Sequence, residues 1–373
     1  VAVPHLRSAT RLVALALAAG LAGCLSKDAT APTALTLPTP LWTVTTGAGV
    51  GRIFVESNGA LLVGTADSMI ARNGATGGFL WGRAYGTLPI GGFAFDAGNA
   101  RAIFVGSSTQ TIDATTGLTL YTDPLAGVST PPSSDGTNLY VARTAPSIRI
   151  DQVSPAGVAG WSTPLATVCP TGCTFGGTAV SGDTVYLAGS QTATGGLTQS
   201  LVMAFSRTTG TELWRKLDNT VDTAVSAPPV VIGKQLVLTG VGGRLLWALD
   251  RSTRVRTWTH DETGTPLTLR PVIAGNLLLV ASAFIGEAVV ADSGYTSWSV
   301  SSNTPLVKMA ACPNSVAWAA IDAMIVVNRT TGALLGGREG ITLSNALGDI
   351  AASNGRFYIA TASGPTLAAY TCL

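Results

Sequence analysis

Asn73-Gly74-Ala75-Thr76-Gly77-Gly78-Phe79-Leu80-Trp81 returns one interval later as Asp113-Ala114-Thr115-Thr116-Gly117-Leu118-Thr119-Leu120-Tyr121. It returns again as Ser206-Arg207-Thr208-Thr209-Gly210-Thr211-Glu212-Leu213-Trp214, and as Asp250-Arg251-Ser252-Thr253-Arg254-Val255-Arg256-Thr257-Trp258 with Arg in the Gly slot. Weaker copies end at Trp161 (with Gly157), at Trp298 (with Gly294) and at Gly336 (after Thr331-Gly332). The copies close at positions 81, 121, 161, 214, 258, 298 and 336, with one longer interval before Trp214, and Trp42 stands one ordinary interval before the first. Self-similarity at about 40 residues marks a repeat architecture, in which each unit buries its apolar faces against its neighbours.

The residues between anchors predict four strands per repeat. Arg52-Ile53-Phe54-Val55, Asn58-Gly59, Ala60 to Val63 and Ser68 to Ala71 read as strand, turn, strand, strand. Turn dipeptides recur in register at Gly98-Asn99, Asp135-Gly136, Gly182-Asp183, Gly233-Lys234, Gly275-Asn276, Pro313-Asn314 and Asn354-Gly355. Gly and Asn tolerate the positive φ of tight hairpins, and the flanking Val, Ile, Leu and Thr favour strands. No segment after the leader keeps a helical period. In the last hairpin of each unit an Asp side chain accepts turn N–H groups, and Gly takes the left-handed conformation. The following aromatic then falls on the outermost strand and packs against the next unit, so Trp42, Trp81, Tyr121, Trp161, Trp214, Trp258 and Trp298 read as blade-packing anchors. The final unit (348–370) has three strands, and Leu41-Trp42-Thr43-Val44-Thr45 is an unpaired fourth. The expected fold is all-β: an eight-bladed β-propeller of four-stranded antiparallel blades over 41–373, its last blade completed by the N-terminal strand.

The Ala-x-Asp-x-x-Thr-Gly-x-x-x-Trp pattern, matched by Ala71, Asn73, Thr76, Gly77 and Trp81 and by Ala248, Asp250, Thr253 and Trp258, resembles the pyrroloquinoline-quinone-type (PQQ-like) propeller repeat. The Gly doublets of Kelch repeats do not fall at one blade position here, and the WD-type pairs are missing. The resemblance implies two alternatives. Some members are quinone-dependent alcohol dehydrogenases, which hold the quinone with calcium, a stacking Trp and often adjacent Cys. Others, such as the propeller lipoprotein of the outer-membrane barrel-assembly machine, bind proteins without a cofactor.

Only 11% of the 373 residues are charged and mean hydropathy is +0.39, against about 25% charge in ordinary soluble domains. A net charge of +2 argues against a nucleic-acid partner, which needs a dense basic surface. Part of the hydropathy belongs to the leader. Arg7 and Arg11 precede the apolar run Leu12 to Gly23, which ends at Leu21-Ala22-Gly23-Cys24. This reads as a lipoprotein signal peptide over 1–23 with acylation at Cys24; the competing reading is a plain secretory signal. Residues 24–40, with three Pro, read as the lipidated Cys and a flexible tether. Leu25 in place of Asp favours the outer membrane. The expected location is the cell envelope, lipid-anchored, facing the periplasm.

Catalytic readings are weak. There are two His, His5 and His260, no Cys-Cys pair and no recognisable calcium-ligand cluster, so no catalytic, cofactor or metal residue is assigned and none of these groups is expected. Asp135, Asp183, Asp250 and Asp292 read as turn residues. Cys169-Pro-Thr-Gly-Cys173 predicts a local disulfide, against a metal site that lacks further ligands. A Cys312–Cys372 bond would pin the C-terminus across blades seven and eight, though spacing does not fix this pairing. Two longer insertions, 164–178 and 189–198, depart from the period, and Arg244, Arg251, Arg254 and Arg256 form a candidate interaction surface. The reading is a non-enzymatic, monomeric envelope scaffold for protein partners, with a role in outer-membrane protein assembly. A quinone-dependent oxidoreductase or degenerate relative, or a sugar- or small-ligand-binding propeller, are the alternatives.

Overall fold

The computed structural model describes residues 39–55, 58–65, 68–84, 92–96, 101–105, 109–122, 130, 132–170, 172–192, 198–218, 224–225, 227–240, 245–261, 267–320, 323–335, 341–342, 347–362 and 366–373. The leader with Cys24, Gly98-Asn99, Arg244 and Gly336 lie outside them. Among the described residues the structure is all strand and turn. Eight four-stranded antiparallel sheets follow one another: blade one spans 50–84, two 92–122, three 133–164, four 173–218, five 230–261, six 267–301 and seven 308–342. Blade eight takes three strands from 347–371, and its outermost strand is Trp42–Thr45, which pairs with Thr366–Thr371.

Burial explains the hydropathy. Second strands such as Ala60–Thr65, Leu139–Arg143 and Leu277–Ser282 are buried along their whole length. A neighbouring blade covers each face, so these strands read as continuous apolar runs and not as alternating ones. Outermost strands such as Thr296–Ser301 are largely exposed and carry Thr and Ser on their outer positions. The apolar clusters lie between blades. Tyr140, Ile150, Leu187 and Met203 join three to four. Ala317, Met324, Ile350 and Ile359 join seven to eight. Leu61, Val63, Tyr358 and Leu367 join eight to one. Near the inner strands, the buried Asp349 accepts the Ile53 N–H at 2.8 Å and meets the Lys308 ammonium at 3.2 Å, tying blades seven, eight and one.

Because successive strands are antiparallel, each blade presents its first and third turns on one face of the disc. The second turn and the connection to the next blade lie on the other. Both irregular insertions belong to the second face. Residues 165–170 do not stand free: Leu165, Val168 and Cys169 are buried in the blade three–four cluster. The other insertion lengthens a hairpin of nine-residue strands, Thr184–Thr192 and Thr198–Ser206, paired out to Thr192 and Thr198.

Candidate functional site

The third turns of blades one, two and four to seven share one backbone frame, and an Asp or Asn side chain caps it in blades one, two, five and seven. Oδ1 of Asp113 accepts the N–H groups of Thr115 and Thr116 at 2.8 and 3.1 Å, and Asp250 does the same for Ser252 and Thr253 at 2.9 Å each. Asn73 and Asn328 substitute with their amide oxygens. Asp250 also takes the Ser252 hydroxyl; this bond and the two N–H bonds hold its carboxyl down at about 2. Asp135 caps a first turn through Thr137 and Asn138. Asp183 and Asp292 depart from the turn-capping reading. Asp183 pairs with Arg207, and the capping slot of blade six is held by Val290.

The left-handed residue of this turn lies under the anchor ring of the preceding blade. A Cβ on Gly294 would stand 2.6 Å from Cε3 of Trp258, and one on Gly332 2.7 Å from Trp298. Gly77 meets Trp42, Gly117 meets Trp81, Gly157 meets Tyr121 and Gly210 meets Trp161 in the same way. The indole N–H groups of Trp42, Trp81, Trp161, Trp258 and Trp298 donate to turn carbonyls of the next blade at 2.8–3.2 Å. A second repeat position changes residue type from blade to blade, so the sequence does not announce it: the residue two beyond the anchor bonds the carbonyl of the left-handed residue. Arg83 reaches Gly117 O at 2.9 Å, Thr163 reaches Gly210 O at 2.7 Å and Lys216 reaches Arg254 O at 2.8 Å. His260 belongs to this series, with Nδ1 2.9 Å from Gly294 O and Nε2 3.1 Å from Glu287. Its place is a blade seam, where it holds two blades together.

The blade four–five seam departs from the pattern. Arg254 holds the left-handed position (φ 64°), and its guanidinium lies over the Trp214 ring at 5.8 Å. Among the described residues the Trp214 indole N–H meets no acceptor. Arg251 lies over the Tyr186 ring at 6.0 Å and donates to the Ser181 hydroxyl at 3.0 Å and to the Gly233 carbonyl. Its backbone N–H bonds Lys234 O at 3.0 Å, which brings Lys234 beside the turn. Arg256 is engaged with Asp218 across the seam. The structure thus brings Arg251 and Arg254 together on one rim, adds Lys234 and Lys216, and directs Arg256 into an ion pair. Both cysteine pairs are bonded, Cys169 to Cys173 and Cys312 to Cys372.

A quinone site of the dehydrogenase kind needs a calcium-ligand set. Among the described residues no three His, Cys, Asp or Glu side chains gather as metal ligands. The described cysteines are in separate disulfides, and the anchor rings are covered by neighbouring blades. The described residues do not fit the group. Elsewhere, Asp151 of blade three is buried against Arg143 at 2.7 Å and Arg149 at 2.9 Å, and accepts the Ser162 hydroxyl at 2.7 Å. This closes a hairpin and presents no free acid or base.

A family model described as outer membrane protein assembly factor BamB matches residues 146–328. Among solved structures, BamB from Moraxella catarrhalis is similar at 15% identity and a TM-score of 0.64, covering 89% of this chain and 99% of that one. A computationally designed protein, Ika8, aligns at 13% identity and 0.64, covering 91% and 99%. A quinohemoprotein alcohol dehydrogenase, ADHIIG from Pseudomonas putida HK5, aligns at 10% and 0.62, covering 92% and 78%. No curated protein sequence matches. At these identities the structural likeness establishes the fold and leaves the chemistry to the residues.

Proposed function

We propose that this chain, whose propeller resembles the PQQ-like repeat and matches the assembly-factor model over 146–328, is a non-enzymatic scaffold of the cell envelope that binds other envelope proteins. One observation carries the reading: the polar residues that recur with the repeat are engaged in holding blades together. Asp and Asn cap turns, Arg83, Thr163, Lys216 and His260 bond the next blade's carbonyls, and the anchor indoles do the same. What the repeat presents to solvent is a broad, sparsely charged surface of turns, suited to binding and poor in acid–base chemistry. The two disulfides fit an oxidising compartment such as the periplasm. The lipobox reading of Cys24 supplies the membrane link, with multiple acyl chains giving firm anchoring, and Leu25 directs it to the outer membrane. The match to an outer membrane protein assembly factor supports a role in outer-membrane protein assembly, with the propeller acting as a monomer facing the periplasm.

Affinity capture of the full chain from detergent-solubilised envelopes tests this. Reproducible recovery of outer-membrane assembly proteins is expected. Dye reduction with added alcohol that depends on quinone and calcium, with a rise in melting temperature on adding both, would replace the scaffold by an oxidoreductase.

A further inference from the structure

The blade three–four and four–five seams differ in charge at equivalent positions. Arg207, the residue after the capping position in blade four, meets Asp183 at 3.3 Å and Asp135 at 3.5 Å, one acid from each of the two first turns beside it. Its blade-five equivalent is Arg251. The corresponding first turns there carry Ser181, whose hydroxyl oxygen accepts from Arg251, and Lys234, which follows Gly233 as Asp183 follows Gly182. Both acids are thus replaced, one by a neutral group and one by a cation. Arg254 adds a third positive charge at a position where blades one to four, six and seven have Gly. The nearby carboxylates are already occupied: Asp250 caps its own turn, Asp218 pairs with Arg256 and Glu212 pairs with Arg215 at 3.0 Å.

A non-Gly residue in the left-handed region, as Arg254 is, carries backbone strain. Arg254 is exposed, so filling the core does not explain it, and among the described residues it leaves Trp214 without the indole bond its counterparts make. In a chain with a net charge of +2, Arg251, Arg254 and Lys234 share one rim with Lys216 beside them, against, among the described residues, the single carboxylate of Asp250, which is turned into its own turn; two of these cations are stacked on aromatic rings, and the set has the composition of a protein-binding hot spot. Val255, 59% exposed, adds an apolar surface next to Arg254. We propose that this rim docks an acidic segment of a protein partner, whose carboxylates take the places that Asp135 and Asp183 hold one seam earlier. Arg251 and Arg254 offer forked donors held in place by the rings below them, and Lys234 offers a point charge beside them. The proposal rests on the scaffold reading and names the chemistry of one docking surface.

The experiment compares the full wild-type chain with a variant that restores the repeat, Lys234→Asp with Arg254→Gly. Binding of a short dye-labelled peptide of alternating Asp and Leu is followed by fluorescence anisotropy, beside a Lys–Leu peptide and phosphatidylglycerol vesicles. The wild type is expected to bind the acidic peptide and not the basic one, more weakly as salt rises. The variant is expected to lose about tenfold or more in affinity while melting at the same or a higher temperature, because strain and like-charge repulsion are removed. Equal binding by both chains, absence of peptide binding, or a preference for vesicles over the peptide would overturn the proposal. A loss of binding with a lowered melting temperature would also overturn it, by assigning Arg254 to the seam. Recovery of envelope partners in the capture experiment, with no peptide binding, would remove this surface and leave the scaffold standing.

Discussion

Gly294 shows how much of the propeller depends on single positions. Its φ of 73° is open to Gly at little cost, and the absence of a Cβ lets the Trp258 ring lie flat on the turn and donate to Ala291 O at 2.8 Å. Gly294→Ala would bring a methyl to 2.6 Å from the ring, adding a steric clash to backbone strain, and should destabilise by roughly 2–4 kcal/mol. A chemical-denaturation midpoint equal to wild type would show that the indole moves aside freely. Tyr140 is a different case. Burial, reinforced by the 2.8 Å bond to Asp135, pushes its hydroxyl up to about 12. Its folded value lies above the ordinary one of about 10, so the phenol's contribution is fully present below pH 10 and disappears as pH rises towards about 12. On the acid side, burial would raise the Asp135 carboxyl. The N–H groups of Asn138 and Thr137, the Tyr140 hydroxyl and Arg207 outweigh it and hold the carboxyl below its usual range. Melting temperatures recorded through the alkaline range should fall less steeply for Tyr140→Phe than for wild type. Parallel slopes would assign the alkaline loss to other groups.

Among the elements, the two disulfides act on very different lengths of chain. Cys169 and Cys173 are four residues apart and close a turn already packed by Leu165 and Val168, whereas Cys312 and Cys372 are 60 residues apart and join blades seven and eight. Loop-closure entropy in the unfolded chain assigns about 2 kcal/mol to the short loop and about 4 kcal/mol to the long one. The Cys312→Ser/Cys372→Ser chain should therefore melt well below the Cys169→Ser/Cys173→Ser chain; the reverse order would mean that the short loop orders the blade three–four seam. The turns and the outer strands were readable in the sequence because the repeat puts the same chemistry at the same place in four of the blades: Asn73, Asp113, Asp250 and Asn328 all accept two turn N–H groups. The Asp349 link to Lys308 and Ile53 was not readable. It joins residues of three blades and occurs once among the described residues, so no period announces it. Arg143 and Arg149 on Asp151 lie within blade three, and again no other blade repeats them among the described residues. On the proposed docking rim, Arg251 and Arg254 stood out as a cluster in sequence, but Lys234 joins them only through the backbone bond between Arg251 and its carbonyl.

At the scale of the whole molecule, the last blade depends on both ends of the described chain. Trp42–Thr45 pairs in register with Ala369 through Thr366, the Trp42 indole donates to Gly74 O at 3.1 Å, and Arg72 donates to Thr45 O at 3.1 Å. One short strand thus completes blade eight and holds it to blade one. Deleting residues 41–45 would leave Thr366–Thr371, a strand of sequence Thr-Leu-Ala-Ala-Tyr-Thr, as an open edge without a charged residue. Such an edge is a template for pairing with another chain. The deletion should therefore produce concentration-dependent oligomers in size-exclusion chromatography as well as a lower melting temperature. Trp42→Ala keeps the backbone ladder and removes only the half-buried ring, so it should cost about 2 kcal/mol and stay monomeric. If the deleted chain also stays monomeric, edge protection is not the strand's contribution, and its effect lies in the blade eight–one packing alone. If Trp42→Ala oligomerises as the deletion does, the indole is what keeps the strand in the blade, and the four ladder pairs are too few to hold it there without the ring.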